Sequence, residues 1–298
     1  MPPDVISNIL DRLPTQDAVK TDILAKSWRF IWTMITQLIF DYDFFQFVLG
    51  PEGDNEFNGR SLTRLLIYLK GPITKFVLNI DQEMLDAEDI IHWISFVSRN
   101  GIKDLTLENP SRDELYIYQS YTFGEFITMS PLLEILKYRD FVTTKEVKLV
   151  EIAKLRNLKT LSLDWFALEH QMIIKSSSIF QLKGLPKLQE LGLNFLCCGL
   201  PADGVKKKVP SAFPSPNLQT LEIKACYNYD SPETLWSLKL DPKTAGPLQL
   251  LDVAFPSFRG SKNEVCLLRY ILACSPLLKM SITLELESLV GGEALLSM

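Results

Sequence analysis

Histidine is nearly absent from this chain of 298 residues, in which only His92 and His170 occur. His92 sits between Ile91 and Trp93 on an amphipathic segment and reads as a packing or surface residue. His170 follows Leu168-Glu169 without a Cys or Asp at metal-ligand spacing. The nucleophile elbow Gly-x-Ser-x-Gly, the phosphate loop and Gly-x-Gly-x-x-Gly are missing as well. Carboxylate pairs such as Glu88-Asp89 read as the acidic start of a helix. The expectation is a protein with no catalytic residue, no metal site and no cofactor.

Other scarcities narrow the class further. The five cysteines include the adjacent pair Cys197-Cys198 and form neither an even disulfide framework nor a Cys-x-x-Cys knuckle, so reduced thiols are expected. Basic charge is short: 31 Lys and Arg face 36 Asp and Glu, a net charge of -5, which argues against general binding of nucleic acid. The run Lys206-Lys207-Lys208 lies in a loop that also contains Pro and Gly and reads as solvated. No apolar run reaches the 18 residues of a membrane span, and no basic and apolar leader opens the chain. A soluble, cytoplasmic and/or nuclear protein without a membrane partner is expected.

What the chain has is a period. Leu158/Leu161/Leu163, Leu188/Leu191/Leu193, Leu218/Leu221/Ile223 and Leu248/Leu251/Val253 repeat Leu-x-x-Leu-x-(Leu/Ile/Val) every 30 residues. Looser copies read Ile73/Phe76/Leu78, Ile102/Leu105/Leu107, Leu133/Leu136/Tyr138 and Leu277/Met280/Ile282, so successive first positions lie 29, 31, 25, 30, 30, 30 and 29 residues apart. Three apolar residues at fixed offsets arise by chance about one time in ten in so apolar a chain, but eight copies in near-constant register do not. Alternation within each copy predicts a short strand. Segments such as Ala87 to Val97 and Glu264 to Ala273 predict intervening helices. A unit of one strand cannot bury its apolar side alone and must stack on its copies.

The first 45 residues follow a different pattern. Pro2 and Pro3 suit a helix start, and Val5, Ile6, Ile9, Leu10 and Leu13 form an apolar stripe ended by Pro14. Thr15 can cap a second helix carrying Ala18, Val19, Ile23 and Leu24. Trp28, Ile31, Trp32 and Ile35 mark a third. So small a three-helix unit must cover its apolar surface with the repeats or with another protein.

Two sets of residues carry a resemblance to known families. The 25- to 31-residue unit, with Cys226 eight positions after Leu218, resembles the leucine-rich repeat; Phe141, Phe166 and Leu196 stand at that place in other copies, which implies an irregular stack. The segment Pro2 to Pro14, followed by Asp17-Ala18-Val19, Leu24-Ala25-Lys26-Ser27-Trp28-Arg29 and Trp32, resembles the F-box. With Leu38-Ile39-Phe40-Asp41 and the repeats, the chain resembles the plant F-box and leucine-rich-repeat family. Leu268 to Ile282 resembles part of the FBD segment found at the end of some members. Met1 stands where members usually carry Leu before the Pro pair, which predicts a shortened first helix.

The resemblance implies an α/β solenoid: a three-helix F-box at 1–45, a connector at 46–72, leucine-rich repeats at 73–262 and a terminal FBD-like repeat at 263–298. It implies a subunit that binds a Skp-type adaptor, and through it a cullin, while the repeats hold a protein substrate for ubiquitination and proteasomal degradation. The adaptor contacts carried over are Pro3, Ile6, Ile9, Leu10, Leu13, Pro14, Val19, Leu24 and Trp28. A repeat scaffold that binds a partner without recruiting the ligase remains the alternative.

If the leucines point inward, the residues alternating with them form the candidate substrate ladder. These are Lys75, Val77 and Asn79; Asp104, Thr106 and Glu108; Ile135, Lys137 and Arg139; Thr160, Ser162 and Asp164; Glu190, Gly192 and Asn194; Thr220, Glu222 and Lys224; and Leu250, Asp252 and Ala254. Asp104 with Glu108, and Asp164 beside Glu190, predict acidic stretches with a basic one, Lys137 and Arg139, between them. Such a mixture suits a protein surface better than a polyanion. Gly192 allows a close backbone approach or a bend. The final residues, 291–298, stop after a repeat strand without a capping helix, as expected of a shortened stack.

Overall fold

The computed structural model describes residues 3–24, 26–49, 59–79, 87–108, 116–117, 129–139, 142–143, 152–164, 185–197, 217–227, 249–255 and 262–282. The repeat strands are β1 (Gln37–Phe40), β2 (Lys75–Asn79), β3 (Asp104–Glu108), β5 (Ile135–Arg139), β7 (Thr160–Asp164), β8 (Glu190–Cys197), β9 (Thr220–Tyr227), β10 (Asp252–Phe255) and β11 (Lys279–Ile282). They form one nine-stranded ladder in chain order, and every pairing in it is parallel. The two-residue strands β4 (Tyr116–Ile117) and β6 (Val142–Thr143) pair separately. The ladder thus includes β1, within the segment that resembles the F-box.

Alternation explains both the strands and the core. In β2, β3 and β5 the second and fourth residues are buried and the others half-buried. Phe76, Leu105, Leu136, Leu161, Leu191, Leu221 and Val253 share one register row, and all are buried. Ile35, Ile73, Ile102, Leu133, Leu158, Leu188 and Leu218 fill a second buried row three residues earlier. Burying a side chain of this size stabilises by about 1.5 to 3 kcal/mol, so stacking supplies what an isolated unit lacks.

The backbone is joined as regularly where each strand begins. Thr74 and Lys75 both donate to Thr36 O, Lys103 and Asp104 to Thr74 O, and Glu134 and Ile135 to Lys103 O. The series continues through Glu134, Lys159 and Gln189 to Gln219 O, which accepts from Leu251 and Asp252. One carbonyl per unit therefore receives two N–H groups from the next, which fixes the register that the leucines select.

Helices lie between strands where their residues are described: α3 (Tyr42–Leu49) and α4 (Arg60–Tyr68) before β2, α5 (Ala87–Arg99) before β3, and α6 (Lys262–Cys274) before β11. The expected helices at 87–97 and 264–273 are present and slightly longer. Trp93, buried on α5, donates its indole N–H to Thr63 Oγ1 of α4 at 2.9 Å. Gly101 ends α5 at φ +86°, a conformation that costs other L-residues about 1 to 2 kcal/mol.

Four expectations are corrected. The copy read as Leu248/Leu251/Val253 is framed differently: pairing of Val253 with Leu221 places Leu250 at the first buried position, 0% exposed, and leaves Leu251 47% exposed. Leu250 is therefore a core residue and not an outward one, and Leu248 lies outside the described residues. In the last unit Leu277 is 74% exposed, and Leu278 packs on the core in its place. The third amino-terminal helix is not formed. Two 3-10 turns, Lys26–Trp28 and Ile31–Met34, flank Phe30, whose φ of 63° no α-helix accommodates. Thr15 does not cap α2 (Thr15–Lys20), because its hydroxyl is taken by a strand, as described next.

Candidate functional site

The first surface is built on α1 (Pro3–Leu10) and α2, whose attachments decide which apolar residues stay outside. Asp11 Oδ1 accepts from the N–H groups of Thr36 and Gln37 at 2.9 and 3.2 Å, and its Oδ2 accepts from Thr36 Oγ1 at 2.6 Å. The Thr15 hydroxyl donates to Ile39 O and accepts from Ile39 N, both at 3.0 Å. Ser7 Oγ donates to Met34 O at 3.1 Å. These side chains take the hydrogen-bonding positions of a neighbouring strand along the outer edge of β1. The α1–α2 pair is thus bolted to the ladder and covers an edge that would otherwise be free to pair.

With one side so engaged, Leu10 and Ala18 enter the common core and Ile6 packs against it. Leu10 therefore has no surface to offer a partner, because the clamp turns it inward. Ile9, Leu13, Pro14 and Leu24 are exposed, Val19 and Trp28 half-buried; the side chain of Pro3 lies outside the described residues. Ile23, 83% exposed beside Leu24 at 69%, and the exposed Phe30 enlarge the apolar patch. The sequence places Ile23 on the second helix, with Ala18, Val19 and Leu24. The helix instead stops at Lys20, and Ile23 lies exposed in the 3-10 turn Thr21–Ile23 that follows.

The second surface is the outward side of the ladder. Its charges engage one another across strands: Lys75 Nζ lies 3.6 Å from Asp104 Oδ2, and Arg139 Nη1 lies 3.5 Å from Glu108 Oε1. Thr106 Oγ1 donates to Asp104 Oδ1 at 3.4 Å, and Thr160 Oγ1 to Glu190 Oε2 at 3.0 Å. The acidic stretch expected at Asp104 and Glu108 is thus neutralised by its neighbours. Lys137 and Thr220 are half-buried on the same side, while Glu190, Glu222 and Asp252 are exposed. Asp164, Asn194 and Lys224 stand in one register row, with side chains outside the described residues.

Ser162 is buried, because Arg139 Nε donates to its Oγ at 3.1 Å, so it is withdrawn from the exposed face. Gly192, opposite it, is explained by the same group: a Cβ there would stand 2.9 Å from Ser162 Oγ.

Two residues overlooked in the sequence tie the turns together. Asn157 Nδ2 donates to Pro131 O at 3.2 Å, and Asn217 Nδ2 donates to Pro186 O at 2.7 Å. Their signal is an Asn directly before the first leucine of a unit, in Asn157-Leu158 and Asn217-Leu218. Among the described residues, no group of three His, Cys, Asp or Glu could hold a metal, and no helix is long and apolar enough to cross a membrane. His92 is exposed on α5; His170 lies outside the described residues.

Two short helices joined through Leu13-Pro14 are thus bonded to a parallel leucine ladder. The F-box domain family matches residues 1–38. An F-box/FBD/LRR-repeat protein of Arabidopsis thaliana is 38% identical over 112 residues, covering 36% of this chain and 26% of that protein. An F-box/LRR-repeat protein of the same plant is 28% identical over 201 residues, 65% of this chain and 35% of its own length. An FBD-associated F-box protein, also of Arabidopsis thaliana, is 26% identical over 164 residues, 55% of this chain and 36% of its own. Residues 1–38 thus carry the F-box match, and the relatives that resemble longer stretches of the chain are plant F-box and leucine-rich-repeat proteins. It spans between 26% and 36% of the length of these relatives.

Proposed function

We propose that this chain is the non-catalytic, substrate-recognition subunit of a Skp-cullin-F-box ubiquitin ligase. The observation that carries the reading is the set of exposed apolar residues Ile9 on α1, Leu13 and Pro14 between α1 and α2, and Leu24 after α2, within the segment that the F-box family matches and that is fixed to the ladder. Ile6, Val19, Trp28 and Pro3 complete the adaptor surface in this reading; Leu10 is left out of it. A target protein lies on the outward ladder, at Asp104, Thr106, Glu108, Lys137, Arg139, Thr160, Glu190, Thr220, Glu222 and Asp252, with Asp164, Asn194 and Lys224 in the same rows. The division of labour is F-box at the amino-terminal end, connector, repeats and terminal FBD-like unit.

Such a subunit acts by proximity. Holding a target lysine beside the ubiquitin thioester, carried by an enzyme that the cullin recruits, replaces a bimolecular encounter by an effectively intramolecular one. Because α1 and α2 are bonded to β1, the adaptor and the target are held at a set separation. Co-purification with a Skp-type adaptor tests the reading: the intact chain retains the adaptor, and changing Leu13 and Pro14 together to Ala abolishes retention while leaving the fold intact. Retention that ignores both substitutions, or none by the intact chain, overturns it.

A further inference from the structure

The rim where the strands begin differs from the ladder face. Exposed on it are Lys103 before β3, Lys154 and Arg156 in the turn before β7, Lys159 at its entry and Lys187 before β8. Among the described residues of this rim, from 102 to 103, 130 to 134, 152 to 159 and 185 to 189, Glu134 is the one carboxylate. Asp104 and Glu190, next along the chain, turn to the ladder face, where Lys75 and Thr160 engage them.

These cations are held together by the backbone. Glu134 N donates to Lys103 O at 2.7 Å, Lys159 N to Glu134 O at 2.7 Å, and Gln189 N to Lys159 O at 2.8 Å, so Lys103, Glu134 and Lys159 stand in successive units. Two side chains are pinned as well: Lys159 Nζ donates to Glu134 Oε2 at 2.5 Å, and Lys187 Nζ to Asn157 Oδ1 at 2.8 Å. The Glu134 carboxyl is held below its ordinary range, first by the hydrogen bond from Lys159 and then by the charges of Lys159, Lys103 and Lys187, so all three lie close enough to act on one group. Among the described residues of this rim, Lys103, Lys154, Lys159 and Lys187 stand with Arg156 against one carboxylate, on a chain whose net charge is -5.

We propose that this rim binds an extended acidic segment of a partner protein, lying across the units from Lys103 to Lys187. The spacing favours a peptide: two ladder steps separate Lys103 from Lys159 by about 10 Å, and an extended chain covers that distance in about three residues. In the polyproline II form, with three residues per turn and a rise of about 3.1 Å per residue, carboxylates three positions apart stand on one side and meet Lys103 and Lys159. Charge complementarity of this kind governs encounter and register, so the rim supplies the first contact and the ladder face the fit. This rests on the reading of the repeats as the target-binding part, but not on adaptor recruitment.

The test uses the full chain and a fluorescent peptide of about twelve residues with Glu at every third position, beside its Gln counterpart and a single-stranded RNA of similar length. The Glu peptide binds, the Gln peptide does not, and binding weakens as salt is raised. Changing Lys103, Lys159 and Lys187 together to Gln weakens it about tenfold or more. Glu134→Gln removes the opposing charge and strengthens it about twofold, an increase that misfolding cannot produce. Equal binding of the Glu and Gln peptides, an unaffected triple variant, or binding of the RNA alone overturns the proposal. Adaptor binding, measured on the same variants, is unchanged, which separates this proposal from the ligase reading.

Discussion

Thr15 illustrates how one side chain can serve an element far from it in sequence. Its hydroxyl both donates to and accepts from Ile39, 24 residues away, and so takes the place of a strand neighbour. Thr15→Val keeps the shape and removes both bonds, leaving the Ile39 N–H and C=O without their partner. A loss of about 1 to 3 kcal/mol in urea unfolding is expected, against little change for Gln16→Ala next to it. The sequence shows a Thr after a Pro, for which capping is the natural local reading. Its real partner depends on how two helices meet a sheet edge, which local pattern does not record.

Glu134 carries a pH dependence of known sign. Its carboxyl is depressed below 4.5 chiefly by the hydrogen bond from Lys159. The pair therefore contributes at neutral pH and loses its contribution as pH falls below 4.5 through the depressed value. It is a partly exposed pair, worth at most about 1 kcal/mol. Glu134→Gln should lower stability slightly at pH 7, and the difference from the parent should close on acidification, as followed by thermal unfolding at a series of pH values.

Among the elements, the strands were the most legible, because inward and outward residues alternate with a period of two and each unit repeats the same three apolar offsets. Of the eight units from Ile73 to Leu277, the six from Ile73 to Leu218 were framed by this pattern, and the two that open on double leucines were not. Leu250-Leu251 allows two frames, and only the pairing of Val253 with Leu221 chooses between them; at Leu277-Leu278 the pairing of Met280 with Val253 keeps the strand frame, while Leu278 in place of Leu277 packs on the core. That choice makes a sharp prediction: Leu250→Ala costs about 2 to 5 kcal/mol, whereas Leu251→Ala stays within about 0.5 kcal/mol of the parent. Equal costs by denaturant unfolding would contradict the frame. The helices α5 and α6 were legible from their amphipathic pattern. The turns around Phe30 were not, since a positive φ at a Phe has no signature in residue type.

On the scale of the whole molecule, the F-box segment and the repeats are one folded body, with β1 as the shared strand. Removing residues before Ile35 strips Ser7, Asp11 and Thr15 from the outer edge of β1 and takes Leu10 and Ala18 out of the core that holds Leu38 and Phe40. The shortened chain is expected to self-associate in light scattering at concentrations where the full chain does not, because an uncovered edge strand pairs with other chains. A shortened chain as monodisperse as the parent would show that the clamp is dispensable. The likeness to F-box and leucine-rich-repeat proteins was legible from Leu13-Pro14, Trp28-Arg29 and the leucine period together; the use of Asp11 and Thr15 to fasten one part to the other was visible only in three dimensions.

The central claim is that the outward apolar residues of the amino-terminal helices receive a Skp-type adaptor. Calorimetric titration of such an adaptor into the full chain measures this directly, with Leu13→Ala and Pro14→Ala combined in a second sample of unchanged circular dichroism. Saturable binding is predicted for the parent, weakened in the variant by about thirtyfold or more, the loss of a central contact worth about 2 kcal/mol. Heats that are absent for the parent, or identical in the two samples, would contradict the claim.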